Sequence, residues 1–155
     1  MMRAAPKPAA FSYRADPTVP AFDDSAPLMI FDGVCVLCSE GVKWMMRRDP
    51  HGLSKFITVQ SPLARALYTH YGLDPDRFDT FMLLKDGAPY CRYRGWLEAA
   101  KTMPAPWRWL GFAGHAIPDF IGDAVYDVIQ KNRFTWFGKR EACLVPDAAM
   151  KARFL

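Results

Sequence analysis

Apolar residues fall along the chain in short blocks separated by Gly, Pro and Asp. Leu28-Met29-Ile30-Phe31 is a continuous apolar run closed by Asp32-Gly33, a length and boundary that predict a buried strand. Residues 35–48 place Val42, Met45 and Met46 on one helical stripe, and Asp49-Pro50-His51-Gly52 stops it. Lys55-Phe56-Ile57-Thr58-Val59 is β-branched and aromatic and reads as a second strand. Ser61-Pro62 supplies a cap and a first-turn proline for a helix to about residue 71, ended by Gly72. Thr80-Phe81-Met82-Leu83-Leu84 predicts a third strand. Asp86-Gly87 is a hairpin turn, and Tyr90-Cys91-Arg92-Tyr93 is its antiparallel return. Residues 96–103 read as a helix ended by Pro104, residues 107–110 as a short aromatic segment, and residues 117–131 as the longest helix. In that last helix Ile121, Val125, Val128 and Ile129 share a face, with Asp119, Asp123 and Asp127 interleaved.

The order is strand, helix, strand, helix, strand, strand, helix, then a helical and aromatic tail. Two strands joined through a helix run parallel, and the next two form a hairpin. The expected fold is therefore α/β and thioredoxin-like: a four-stranded mixed sheet flanked by helices, with an added C-terminal tail. Residues 1–27, rich in Pro and Ala, read as a flexible leader, and residues 28–155 as one domain. The leader has no continuous apolar stretch of the secretory kind, and Asp16, Asp23 and Asp24 argue against a transit peptide.

Composition narrows the classes. With 51% hydrophobic and 14% aromatic residues over 155 positions, the chain can build a core without staples. Four cysteines are too few for a disulfide scaffold, and no apolar run is long enough to span a bilayer. The expected setting is the cytoplasm. The net charge of +4 is spread along the chain, densest at Arg47-Arg48 and residues 131–140. A nucleic-acid footprint would be larger and one-sided, so no nucleic-acid partner is expected.

Candidate chemistry centres on Cys35 and Cys38, three residues apart where strand should meet helix. At that spacing both sulfurs lie on one helical face and can alternate between dithiol and disulfide. The helix N-terminus offers unpaired N–H groups and partial positive charge that favour a thiolate. Cys35, nearer that end and expected to be the more exposed, is the expected nucleophile and Cys38 the resolving thiol. Two other readings of the pair stand beside this one. A zinc site would need two further ligands, and Cys91, Cys143, His51, His70 and His115 are scattered. A buried structural thiol pair needs none. Asp32 has a favoured role, capping the helix or shaping the Asp-Gly turn, and an alternative one as proton acceptor for Cys38. It counts as the third candidate site residue.

The stretch Phe31-Asp32-Gly33-Val34-Cys35-Val36-Leu37-Cys38 resembles the signature of the DCC family of predicted thiol–disulfide oxidoreductases. The tail resembles the same family through Tyr126-Asp127, Asn132-Arg133-Phe134, Phe137-Gly138, Cys143 and Pro146. The resemblance implies a thioredoxin-like fold and a redox role for Cys35 and Cys38. It implies no cofactor, and the expected partner is a protein or small-molecule thiol or disulfide. Where thioredoxins carry a cis-proline before the third strand, this chain has Asp79, whose preceding bond is expected to be trans. Arg133 is read chiefly as part of a packing device, with Phe134, Trp136 and Phe137 filling the core. Alternatively it stands near the cysteines and stabilises a thiolate. Cys91 reads as a packing residue, and Cys143 as a lone buried Cys with a third redox thiol as its alternative. A second function class is a binding module that docks a partner through Trp107, Trp109 and Trp136.

Overall fold

The computed structural model describes residues 9–49, 54–77, 80–139, 141 and 148–154. The apolar run becomes β1 (Leu28–Phe31), buried at every position. It lies at the centre of a sheet of order β2-β1-β3-β4, with β2 at Lys55–Thr58, β3 at Met82–Lys85 and β4 at Ala88–Cys91. β1 runs parallel to β2, with Phe31 opposite Thr58, and antiparallel to β3, with Met29 opposite Leu83. β3 and β4 form the expected hairpin. Asp86 and Gly87 at its tip take φ of 52° and 74°, the two positive values of a type I′ turn. This is the four-stranded mixed sheet of a thioredoxin-like α/β fold.

The helices follow the punctuation closely at first. α1 spans Val36–Arg48 and α2 spans Pro62–His70, the latter capped as expected by the Ser61 hydroxyl, which accepts the Ala64 N–H at 3.2 Å. α3 begins at Arg92, four residues before the expected start, and runs to Lys101. The Thr80 hydroxyl accepts the Arg92 N–H at 2.9 Å, and the Asp123 carboxylate accepts the Tyr93 N–H at 3.2 Å. Both acceptors are remote in sequence, so local signals place the start too late. Residues 107–110, expected only as a short aromatic segment, open α4 (Trp107–Ala113), and the last long helix extends beyond its expected end as α5 (Asp119–Phe137). A short α6 covers Ala148–Lys151.

The segment expected as a flexible leader is packed against the domain from Phe11 onward. Tyr13 is 3% exposed within the main core, and the Phe11 N–H donates to the Gly87 carbonyl at 2.9 Å. Asp23 pairs with Lys55 of β2 at 2.7 Å. Pro and Ala mark the segment as irregular, but Phe11, Tyr13 and Val19 give it an apolar side that the sheet region buries.

Candidate functional site

The turn between β1 and α1 carries the site. Asp32 is 3% exposed. One of its oxygens, Oδ1, accepts the Val34 N–H at 3.1 Å and the Gln60 Nε2–H at 2.9 Å. The Gln60 side-chain carbonyl in turn accepts the Gly33 N–H at 3.2 Å. Ser39 of α1, fully buried, donates its hydroxyl to the Gly33 carbonyl at 3.3 Å. Asp32 thus shapes the turn, the second half of its favoured role. The other half, capping the helix, falls to Cys35.

Cys35 stands at the N-cap of α1 in extended backbone, and its Sγ accepts the Cys38 N–H at 3.4 Å. Sulfur here takes the place that a Ser or Asp oxygen usually takes. The N–H groups and dipole of the first turn therefore act directly on it. Its pKa is drawn down to about 6. The hydrogen bond from the Cys38 thiol is the main cause, joined by the Cys38 N–H and the Arg133 charge, against burial and the Asp32 charge. The Cys38 thiol is pushed far up by that same bond, in which it is the donor, and by its burial. Both cysteines are free thiols, as is Cys91 on β4, where burial raises the thiol to about 11.

Exposure runs opposite to expectation. Cys35 is 0% exposed, whereas Cys38 is half-buried. The cause lies just beyond α5, where the Gly138 carbonyl accepts the Val36 N–H at 3.4 Å and Lys139 forms an antiparallel bridge with Cys35. Gly138 makes this reversal with a φ of 92°, open to glycine and strained for other residues. This stretch of chain therefore pairs with the backbone of Cys35 and Val36. Beside it a cleft of about 380 Å³ is lined by Asp32, Val34, Gln60, Arg77, Arg133 and Lys139.

Arg133 reaches the site from α5. Its Nη2 lies 3.6 Å from Asp32 Oδ2, its Nη1 donates to the Gln130 carbonyl at 2.8 Å, and its guanidinium covers the Phe134 ring at 4.3 Å. The less favoured of its two readings, a place near the cysteines, is the one the structure bears out. The companion expectation of a core filled by tail aromatics is corrected: Trp136 is 56% and Phe137 46% exposed, and Phe134 is half-buried. These two rings turn outward because α5 docks through its polar side. Gln60 was missed by sequence reading. Its signal was the parallel register of β1 and β2, which sets the ends of both strands side by side.

The remaining candidates lie elsewhere. His70 bonds Asp16 at 2.7 Å and Ser12 at 2.8 Å, and His115 lies 3.7 Å from Glu98. Among the described residues no three His, Cys, Asp or Glu side chains gather as a metal site. Trp107 stacks edge-on against Trp44 at 4.7 Å and is half-buried, whereas Trp109 and Trp136 are exposed. His51, Asp79, Cys143 and Pro146 lie outside the described residues. No helix among the described residues is long and apolar enough to cross a membrane.

The site's setting, from Met29 in β1 to Lys139 paired with Cys35, coincides with a match to the family model for DCC1-like thiol-disulfide oxidoreductases, residues 29–139. The chain belongs to this family. The DCC1-like chain is 39% identical over 128 residues to the uncharacterized protein YuxK of Bacillus subtilis, covering 83% of this chain and 93% of the relative. It is 31% identical over 121 residues to a chloroplastic DCC family protein of Arabidopsis thaliana, covering 78% and 70% of the two chains. No solved structure matches the DCC1-like chain.

Proposed function

We propose that the protein is a thiol–disulfide oxidoreductase in which Cys35 attacks and Cys38 resolves. The observation that carries this reading is the Cys35 sulfur at the N-cap of α1, accepting the Cys38 N–H. With the Gly138–Lys139 segment drawn aside from Cys35, the Cys35 thiolate attacks one sulfur of a partner disulfide, the S–S bond breaks, and the other partner sulfur leaves as thiolate. Cys38 then loses its proton to solvent or the leaving thiolate and attacks Cys35 in the mixed disulfide. The second partner thiol departs, the partner has gained two electrons, and the 35–38 pair is a disulfide. The reverse sequence oxidises a partner dithiol. Asp32 acts as a positioning residue that holds the turn and answers the Arg133 charge. The partner is a protein or small-molecule thiol or disulfide. The proposed setting is the reducing cytoplasm, where close cysteine pairs are commonly catalytic.

The test equilibrates folded protein in glutathione buffers and counts alkylated thiols by mass. A reversible two-electron transition between roughly −180 and −300 mV supports exchange. Because the reduced form gains from a stabilised thiolate, the midpoint is expected in the less negative half of that window. Cys35→Ser abolishes mixed-disulfide formation, whereas Cys38→Ser traps it. A pair that stays reduced throughout the series overturns the reading.

A further inference from the structure

α5 is mounted inside out. Gly122 lets the helix lie against Tyr93, where an added Cβ would stand 2.1 Å from the ring. The Tyr126 hydroxyl accepts the Phe81 N–H at 2.9 Å. Asp119 pairs with Arg94 at 3.0 Å, Asp123 lies 3.5 Å from Arg92, and Asp127 also binds Arg92. The polar side of the helix therefore faces the domain. The opposite side leaves Phe120 74%, Ile121 45%, Val125 56%, Val128 53% and Trp136 56% exposed. The shared face expected from the sequence exists, and it points into solvent. A surface helix ordinarily buries such a stripe.

We propose that this stripe is the contact between two copies of this chain, with the two α5 helices antiparallel about a two-fold axis at Val128. Area is the first argument. Over Phe120, Ile121, Val125, Val128 and Trp136, with Ile129 at 38% exposure, the apolar surface of α5 comes to roughly 600 Å², taking ordinary side-chain areas of roughly 150–250 Å². That stands at the top of the range for patches on monomers, and a stable interface takes about 800 Å² from each partner, of which somewhat more than half is apolar.

Symmetry is the second argument, since a two-fold contact must complement itself. Phe120 and Trp136 stand eight residues either side of Val128, and Ala124 and Asn132 stand four either side. Antiparallel copies thus bring Phe120 level with Trp136 of the other copy, so that each end of the contact carries one large ring on either flank.

Charge is the third. One edge of the stripe carries Asp123 and Asp127, 27% and 43% exposed, followed by exposed Lys131. About an axis at 128, Lys131 faces position 125 of the other copy, between its Asp123 and Asp127. A lipid-binding stripe would instead carry Lys and Arg along its edges.

Sedimentation equilibrium of the full chain over a hundredfold range of micromolar concentration tests this. The expected species has twice the 17.6 kDa chain mass. Val128→Glu sets two carboxylates on the axis and weakens association roughly tenfold or more, with far-UV circular dichroism and Cys35 alkylation unchanged. Phe120→Ser, at the far end, weakens it as well, and Lys131→Glu does so in low salt. A wild-type chain of 17.6 kDa at every concentration overturns the proposal, and so does a dimer indifferent to Val128→Glu and Phe120→Ser. If the monomeric chain pellets with anionic phosphatidylglycerol vesicles, the stripe is a lipid contact and the dimer falls.

Discussion

Cys35 is governed by groups that pull in opposite senses. The Cys38 thiol, the Cys38 N–H and Arg133 favour its thiolate, while burial and Asp32 disfavour it. Because only the thiolate reacts, iodoacetamide alkylation of Cys35 through openings of the Gly138–Lys139 segment should rise with half-maximum near pH 6 and flatten above it, as rates at varied pH with peptide mapping would show. Cys38 should stay unmodified to about pH 9, since its pKa is raised. Replacing Arg133 with Gln removes the cation and moves the midpoint of Cys35 upward. Alkylation at pH 6 should then slow several-fold and remain unchanged near pH 9, and Arg133→Lys should recover most of the loss. Asp32→Asn should move the midpoint the other way. If Asp32 were instead the proton acceptor for Cys38, the same variant would accumulate mixed disulfide in rapid-quench experiments. The two roles thus separate on one substitution.

At the scale of elements, the β3–β4 hairpin ties a local signal to a distant contact. Gly87 has a φ of 74°, and an added Cβ would meet the Phe11 backbone nitrogen at 2.5 Å. Gly87→Ala should therefore cost about 1–3 kcal/mol, read as a lower urea midpoint with unchanged slope. The turn itself was legible as Asp-Gly between apolar runs, and the Phe11 contact was not. The same division holds elsewhere. β1, β2, α1 and α2 announce themselves because their caps and breakers are neighbours in sequence. The early start of α3 depends on Thr80 and Asp123, which only the fold brings to Arg92 and Tyr93. At the site, the spacing of Asp32, Cys35 and Cys38 was visible from local pattern. The cover by Gly138 and Lys139 comes from the far end of α5, about a hundred residues away, and it reverses the expected order of exposure. The stripe on α5 was readable, but its direction was not. An amphipathic pattern says that a face is apolar, and ion pairs such as Arg94–Asp119 decide which face docks.

Across the whole molecule, the family-matched residues 29–139 are strapped at both margins of the sheet by chain that lies outside the match. β2 is an edge strand, and open edges invite pairing with other chains. Here Phe154 bridges to Phe56, the Phe56 N–H donates to the Arg153 carbonyl at 2.8 Å, and Arg153 binds Asp49 at 2.6 Å. At the hairpin side, the leader brings Tyr13 into the core and bonds Gly87 through Phe11. The Tyr13 hydroxyl is itself occupied, donating to Asp24 at 2.9 Å. A merely attached leader would let Tyr13 be replaced without consequence. Burial to 3% exposure says otherwise: Tyr13→Ala removes a ring from the core and leaves a cavity. The expected loss is about 2–4 kcal/mol in urea unfolding. Phe154→Ala, whose ring packs edge-on against Phe31 at 6.0 Å, should cost less, about 1–2 kcal/mol, because that ring is only half-buried. It should also raise the tendency to aggregate, measured by light scattering of the refolding protein, since the freed partner groups lie on an edge strand. Equal stability of wild type and Tyr13→Ala would return the leader to a flexible attachment. The Phe154 result would stand apart from it, because the two straps meet different margins of the sheet.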